Sequence, residues 1–548
     1  MNLNPIIKQI LADRGIESEE AISEFISDKP KKTYDPFLLP NMGAGVDLIL
    51  SAIEEEKKIC IYGDYDADGV TSVTLLTDVL RHLTDEVSYY IPSRFDEGYG
   101  LNCDALDKIK ESGADLVITV DCGSISYIEV KYAKRIGLDI IVTDHHTMGD
   151  IIPDCIVINP MHPENKYPFR YLAGVGVAFK LAQALVDVTG LPKSVITRNL
   201  DLVGIGTIGD VVPLIDENRT LAKFGLRAIN ITQRKGLVAL MEKNNLKKGE
   251  IVSENISFNI VPCINASGRM ADAAGAVKLL STADSSEALE YSGKLLEYNM
   301  LRKEKQNDLF RECCEIVEAK YKGDNFIFLE LEDAHEGITG IVAGKLKDNY
   351  NVPAIIATNI GDGFYKGTCR TLDGINIHQV LKKSEKLFTK FGGHKAACGF
   401  TIEKKRLGEL RQNISDELDR LMAENPESFD VTGRADAIVD AANVNDELIS
   451  QIDLLEPFGS CNSRPLFKLE VKPQFVERMG KEGQYLRFKG RLSDERMIKC
   501  ICFNHCDEIE DRLNHTGGTA KITGTLENKE WNGTRSLEMN VSEVEKQG

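Results

Sequence analysis

Between Lys57 and Pro160 the chain alternates short, unbroken apolar runs with helix-patterned stretches. KKICIYGD, ADLVITVD, LDIIVTDHH and CIVINP each lead into Asp, Gly or Asn. Such repeats read as βα units, and a run without polar alternation is a strand buried on both faces, which predicts a parallel, doubly wound α/β sheet. Ligands of such sheets bind beyond the carboxyl ends of the strands. From Asp284 to Lys322 the pattern turns helical, with Asp284 and Glu287 as a capping pair and Leu289, Leu295, Leu296, Leu309, Phe310 and Ile316 as apolar positions. A helix of that length spans about 55 Å. Strands at NFIFLEL and VPAIIAT flank the Gly-rich segment from Gly337 to Gly344, predicting a second, smaller α/β domain to about Glu403. After Asp430 the strands LFKLEV, YLRFKGRL, IKCICF, AKITGTL and SLEMNV alternate, and with a Trp531-Asn532-Gly533 turn they predict a small β-barrel.

At 548 residues, 42% hydrophobic and 28% charged, the chain has an ordinary globular balance and room for three or four folding units. No apolar stretch approaches a membrane span and the segment Met1 to Glu20 lacks a signal-peptide core, so a soluble, cytoplasmic protein with no membrane partner is expected. Thirteen cysteines are dilute and sit mostly in apolar runs such as Ile59-Cys60-Ile61, where thiols behave as small buried hydrophobes. The dense group Cys500, Cys502, His505 and Cys506 has no second ligand pair after it, which argues against structural zinc. A formal charge of -19 excludes bulk electrostatic coating of nucleic acid, so any such groove must be local.

Part of that acidity is organised. Asp64-Tyr-Asp66-Ala-Asp68-Gly69 directly follows the strand KKICIY, and its period-two spacing can bring carboxylates to one side of an extended segment. An EF-hand begins alike, but needs a preceding helix and a Glu at loop position twelve, where this chain has Leu75. Asp121 closes the second strand and Asp144-His145-His146 the third. One terminal Asp is usually a helix cap, whereas three such ends in one parallel sheet converge in space. Asp210 is a further candidate, in a stretch whose Gly204, Gly206 and Gly209 match G-x-G-x-x-G without the strand-then-helix context of a dinucleotide site. Mixed Asp and His ligands suit manganese or magnesium, and two such ions can generate hydroxide and stabilise both oxygens of an in-line displacement at phosphorus. Phosphoester hydrolysis is the reaction class favoured.

The strings YGDYDADGVTS, VDCGS, TDHH and GTIGDVVPL resemble, in order and spacing, the four motifs of the DHH phosphoesterase family. PSRFDEGYGLN, LAGVGVAFK, INASGRM, FGGHKAACGF and LEPFGSCN resemble its RecJ branch, so the likeness covers nearly the whole chain. It implies an N-terminal helical segment (1–45), a DHH catalytic domain (46–283), a connecting helix (284–322), a DHH-associated domain (323–428) and an OB-like domain (429–548). It implies a single-stranded-DNA-specific 5′-3′ exonuclease of DNA repair and recombination that releases nucleoside 5′-monophosphates, with a slot too narrow for duplex. The alternatives are a DHH phosphodiesterase of short oligonucleotides or cyclic dinucleotides, and a non-catalytic replication scaffold.

Carried over by position, the resemblance gives two divalent cations, Mn2+ or Mg2+. Asp66 and Asp68 would hold different ions, Asp121 would bridge them, and His145 and Asp210 would join the second. Asp64 would complete the first shell, because Tyr62 stands where shorter relatives have His. Asp68, Asp121, His145 and His146 form the implied catalytic group, His146 contacting the scissile phosphate or the leaving oxygen. Arg94, Tyr99 and Arg269, with Arg370, Gly393 and His394 of the DHH-associated domain, are implied nucleic-acid contacts. Single-stranded DNA, a single-strand-binding protein and a helicase are the implied partners. Pro262-Cys263-Ile264-Asn265-Ala266 departs from the family's usual P-R-I-N-A, and loss of that Arg is expected to weaken DNA grip. In the OB-like part Phe458, Phe467, Phe488 and Trp531 read as core rather than as stacking platform.

Overall fold

The chain divides into two units, Met1–Met300 with Ser450–Arg464, and Leu301–Ile449 with Pro465–Gly548. The computed structural model describes residues 3–545 apart from 95, 96, 99, 322, 430–434, 481, 482, 516, 517, 532 and 533, with no side chains described at 530–535.

In the first unit, β1 (Ile59–Gly63), β2 (Val87–Tyr90), β3 (Leu116–Val120), β4 (Asp139–Thr143) and β5 (Ile156–Ile158) form one sheet in the order β2-β1-β3-β4-β5. Every pairing is parallel. The unbroken apolar runs are explained by cover on both faces. Ile59, Ile61, Ile118 and Ile141 face a core shared with the helices Ala67–Leu80 and Gly174–Thr189, while Cys60, Tyr62, Val117 and Val142 face the helices Cys103–Glu111 and Tyr127–Arg135. β2 is absent from the sequence reading because it is a short edge strand whose last three residues are partly or fully exposed, and so lacks the apolar run.

The G-x-G-x-x-G match lies inside the helix Leu200–Gly209 and works by packing. A Cβ on Gly204 would come within 2.7 Å of the Gly225 Cα, so two helices cross there at a distance only glycine permits.

The long helix runs Ser285–Lys320. Asp284 caps it, accepting from the amides of Ser286 and Glu287 at 2.7 and 2.9 Å. The reciprocal half of the capping pair differs from expectation, because Thr282 Oγ1 donates to Glu287 Oε2 at 2.6 Å and also accepts from the Asp284 amide.

In the second unit, β6 (Ile327–Leu331), β7 (Ala354–Asn359), β8 (Phe364–Arg370), β9 (Phe388–Gly393) and β10 (Ala397–Glu403) form a mixed sheet in the order β6-β7-β8-β10-β9. The barrel consists of β12 (Leu466–Met479), β13 (Tyr485–Arg491), β14 (Met497–Cys502), β15 (Ala520–Trp531) and β16 (Thr534–Val544), with β11 (Ala437–Val439) parallel to β12. The antiparallel β12–β15 pairing closes it. Phe467 and Phe488 are buried in it, as expected of core aromatics. Phe458 belongs to the first unit, partly buried beneath Arg464, and the Trp531 side chain lies outside the described residues. Cys500, Cys502 and Cys506 are buried, the Cys506 thiol donating to the Cys502 carbonyl. Among the described residues no helix is long and apolar enough to cross a membrane.

Candidate metal centre

The carboxyl edge of the parallel sheet collects its polar residues because each strand stops there. Asp64 follows β1, buried, with Oδ1 accepting from the Tyr65 amide at 2.8 Å. Asp66 caps the helix Ala67–Leu80, accepting from the amides of Asp68 and Gly69 at 2.9 and 3.1 Å. Asp68, in the first turn, accepts from the amides of Gly174 and Val175 at 2.6 and 2.8 Å, so the start of a second helix holds it. Asp121 follows β3 in the left-handed region, at φ 61°, a strained setting that Asp tolerates better than most residues. His145 and His146 follow β4, and Asp210 ends the helix Leu200–Gly209.

These side chains make overlapping groups. Ligand atoms of Asp64, Asp66 and Asp121 lie within 4.8 Å of one another, as do those of Asp68, His145 and Asp210, and those of Asp121, Asp144, His145 and His146. His145 Nε2 stands 3.2 Å from Asp121 Oδ1, 3.5 Å from Asp210 Oδ2 and 3.9 Å from Asp68 Oδ2. The three groups are linked in a chain, Asp121 being common to the first and the last and His145 to the last two, so the six residues expected as metal ligands lie in one cluster. Tyr62 faces away, buried on the opposite side of the sheet with its hydroxyl donating to the Gly100 carbonyl at 2.8 Å.

The electrostatics of the pocket call for cations. Burial first, then the neighbouring carboxylates, pushes the carboxyls of Asp64, Asp121 and Asp210 well above the usual range and Asp68 to about 7. Asp121 Oδ1 is buried without a hydrogen-bond donor among the described residues. A pair of divalent ions would neutralise this repulsion, and a donor set of carboxylate oxygen and imidazole nitrogen fits manganese or magnesium. Asp144 behaves differently. Burial alone would raise it, but the hydrogen bond and charge of His146, the charge of His145 and a hydrogen bond from Ser124 hold it well below the carboxylate range. Burial likewise opposes protonation of His146, yet the bond from its Nδ1 to Asp144 Oδ1 at 2.8 Å carries it up to about 9.

Of the expected nucleic-acid contacts, Arg94 lies over the Tyr65 ring at 5.1 Å, and Arg269 ends the helix Val261–Met270, its charge acting on the same tyrosine. Tyr99 lies outside the described residues. Arg370, Gly393 and His394 are in the second unit, where Arg370 pairs with Ala397 across β8 and β10 and the His394 amide bonds the Ala397 carbonyl. Cys263 corrects an expectation. It is wholly buried and its sulfur accepts from Asn299 Nδ2 at 3.4 Å, so the position faces the interior and not a DNA-binding surface.

Sequence reasoning missed the parts that hold the ligands. The Gly174 and Val175 amides, Asn265 Oδ1 on the Ala67 amide at 2.7 Å, and Asn159 Nδ2 bridging Ser124 Oγ and the His146 carbonyl all act through contacts made far along the chain. Only LAGVGVAFK, with glycines opening a helix, carried a sign of them.

Comparison with known proteins gives this arrangement a class. Residues 58–207 match the family model described as DHH family, N-terminal domain, residues 323–424 the DHHA1 domain, and residues 435–543 the RecJ OB domain. The chain is 35% identical over 547 residues to the single-stranded-DNA-specific exonuclease RecJ of Bacillus subtilis, covering 99% of this chain and 68% of that protein. It is 31% identical to the exonuclease of the same name from Salmonella typhimurium, covering 91% of this chain and 87% of the relative. The crystal structure of RecJ in complex with Mn2+ from Thermus thermophilus superposes with a TM-score of 0.82 at 28% identity, covering 100% of this chain and 76% of that one. This chain belongs to the DHH family, in its RecJ branch.

Proposed function

We propose that this protein is a single-stranded-DNA-specific exonuclease that works from the 5′ end and releases nucleoside 5′-monophosphates, using two divalent cations, Mn2+ or Mg2+. The observation that carries the reading is the linked cluster of carboxylates and imidazole, in which Asp121 stands with Asp64 and Asp66 and lies 3.2 Å from His145 of the Asp68, His145 and Asp210 group, in a chain similar to exonucleases of that specificity. Asp64, Asp66 and Asp121 would hold one ion, and Asp68, Asp121, His145 and Asp210 the other. When bound, such a pair supplies a nucleophilic water and stabilises the entering and leaving oxygens at phosphorus.

The chain's own residues do the rest. The amides of Gly174 and Val175 keep Asp68 from turning, and Asp144 fixes the His146 ring at the pocket's rim, where His146 meets the scissile phosphate or protonates the leaving oxygen. The positive ends of the helices Ala67–Leu80 and Gly174–Thr189 favour anionic groups in the pocket. The water oxygen bonds to phosphorus, the bond from phosphorus to O3′ breaks, and O3′ takes a proton. Arg94 and Arg269 in the first unit, and Arg370, Gly393 and His394 in the second, grip strand phosphates. Residues 46–283 make the catalytic domain, 284–322 the connecting helix, 323–428 the DHH-associated domain and 429–548 the OB-like domain, following the N-terminal segment 1–45. In the cell the enzyme works in the cytoplasm in DNA repair and recombination, on single strands exposed by a helicase and presented with single-strand-binding protein.

The test is a labelled single strand incubated with the purified protein and Mn2+. Mononucleotides should appear from the 5′ end, EDTA should stop their release, and Asp210→Asn should reduce it at least about a hundredfold. Equal cutting of duplex, trimming from the 3′ end, or preference for a dinucleotide over a long strand would each overturn the assignment.

A further inference from the structure

We infer that a cavity at the far ends of the helices Ala67–Leu80 and Leu200–Gly209 is a pocket for a nucleoside 5′-monophosphate, through which the product of the proposed reaction slows that reaction. The regulatory part rests on the nuclease reading above, and the binding part does not. The cavity holds about 490 Å³, a size usual for small-molecule sites, and Asp78, Arg198, Asp201, Ile231, Arg234 and Lys235 are among the residues that line it. Asp78 closes the helix that Asp68 opens, and Asp201 opens the helix that Asp210 ends, so the cavity and the metal centre sit at opposite ends of the same two helices.

Hydrogen bonding sets the charge of the ligand, because the acceptors of the pocket are engaged and the donors are not. Asp78 accepts from Arg198 Nε and Nη2 at 2.9 and 2.6 Å and from Asn199 Nδ2 at 2.6 Å. Asp201 accepts from Thr232 Oγ1 at 2.7 Å, the Leu202 amide at 2.8 Å and Arg234 Nε at 3.1 Å. Asp284, held below the carboxylate range by the amides of Glu287 and Ser286, also feels the charge of Lys235 without bonding to it. Among the described residues the exposed Lys235 has no hydrogen-bond or carboxylate partner, and Arg198 Nη1 has none either. Spare cationic donors beside spent acceptors take an anion. The remaining wall is apolar, with Leu280 in it and Ile231 standing 72% exposed at the end of the helix Asp216–Ile231. Such a pair of surfaces selects a phosphate that carries an apolar ring, and burying Ile231 is what inorganic phosphate could not do. The two helices carry the event to the metal centre. They pack at glycine distance, since a Cβ on Gly206 would lie 2.4 Å from Thr71 Oγ1 and 2.9 Å from Asp68 Oδ1. The bonds from Arg198 and Asn199 to Asp78 clasp their far ends, and an anion that draws Arg198 away loosens that clasp and shifts the close-packed helices on which Asp68 and Asp210 sit.

The test is calorimetric titration of the full chain in EDTA with deoxyadenosine 5′-monophosphate, with deoxyadenosine and with inorganic phosphate. EDTA strips the metal centre, whose carboxylates then repel the nucleotide. Wild type should bind the nucleotide at least about ten-fold more tightly than either part of it, and Lys235→Gln and Ile231→Ser should each weaken that binding about ten-fold. Both side chains are exposed, so the fold survives their exchange. Arg370→Gln, at a phosphate contact proposed for the second unit, should leave the binding unchanged. With Mn2+ present, saturating nucleotide should slow release from a long strand about ten-fold in wild type, and Lys235→Gln should need about ten times more of it. No binding of the nucleotide, phosphate bound as tightly, or wild-type affinity in Lys235→Gln overturns the pocket. Inhibition that is equal in Lys235→Gln comes from product in the metal centre and overturns the regulation, as does binding without inhibition. Binding that follows this pattern in a protein releasing no nucleotide with Mn2+ would sink the nuclease reading and leave the pocket standing.

Discussion

Gly174→Ala offers a sharp test of the metal centre, because it adds one methyl group at a point where the pocket has no room. A Cβ there would lie 2.6 Å from Asp121 Cβ and 2.7 Å from Asp121 Oδ1. Relief to ordinary contact requires a movement of about 1 Å. Asp121 cannot turn freely, since its amide bonds the Thr143 carbonyl at 3.1 Å and its backbone is already left-handed. The helix Gly174–Thr189 cannot retreat without dragging the amides that hold Asp68. Either response displaces a proposed ligand of the ion pair, and a misplacement of about 1 Å costs on the order of a hundredfold in rate. The fold should survive, because crowding of about 1–3 kcal/mol is smaller than the ~5–15 kcal/mol by which a domain is usually stable. Release of mononucleotides under saturating Mn2+ should fall about a hundredfold, with a melting temperature close to wild type. A variant that folds, binds Mn2+ and cuts at the wild-type rate would show that Asp121 and Asp68 are not positioned as ligands.

Three further outcomes follow from the same contacts. Asp144→Asn should remove the carboxylate that bonds His146 Nδ1 at 2.8 Å and lower turnover about ten- to a hundredfold with weaker Mn2+ dependence, measured by titrating the metal against rate. Lys180→Met should destabilise the first unit by about 3 kcal/mol in urea melts, because Glu217, fully buried 2.5 Å from Lys180 Nζ, loses its only cationic partner among the described residues and keeps its charge with just the Tyr167 hydroxyl and the Tyr34 amide donating to it. Lys223 donates to the carbonyls of Phe25 and Ser27, and burial followed by the charge of Arg219 pushes it down to about 7. Its folded value lies below its unfolded one, so between about pH 7 and 10 the unfolded chain binds more protons and stability rises with pH. That rise, on the order of 1 kcal/mol after solvent screening, should be missing from Lys223→Met in melts across the range.

Local chemistry made much of this protein legible from its residues alone. Strands without polar alternation can only be buried on both faces, so KKICIYGD, ADLVITVD and LDIIVTDHH announced a parallel sheet, and the direction of those strands placed Asp64, Asp121 and His145 at one edge. Tertiary packing decided what a linear pattern cannot hold. Gly204, Gly206 and Gly209 lack the context of a dinucleotide site, but only the structure shows what they do, with Gly204 packed against Gly225, and Cys263, read as a lost DNA contact, proved interior. Phe467 and Phe475 are both phenylalanines of β12, yet the first is buried and the second, beside the shift of register between Gln474 and Glu477, is exposed. The distinction has a physical cause: periodicity reports which way a side chain points along its own element, whereas the grip on Asp68, the crowding at Gly174 and the exposure of Phe475 depend on atoms that other elements bring within a few ångströms.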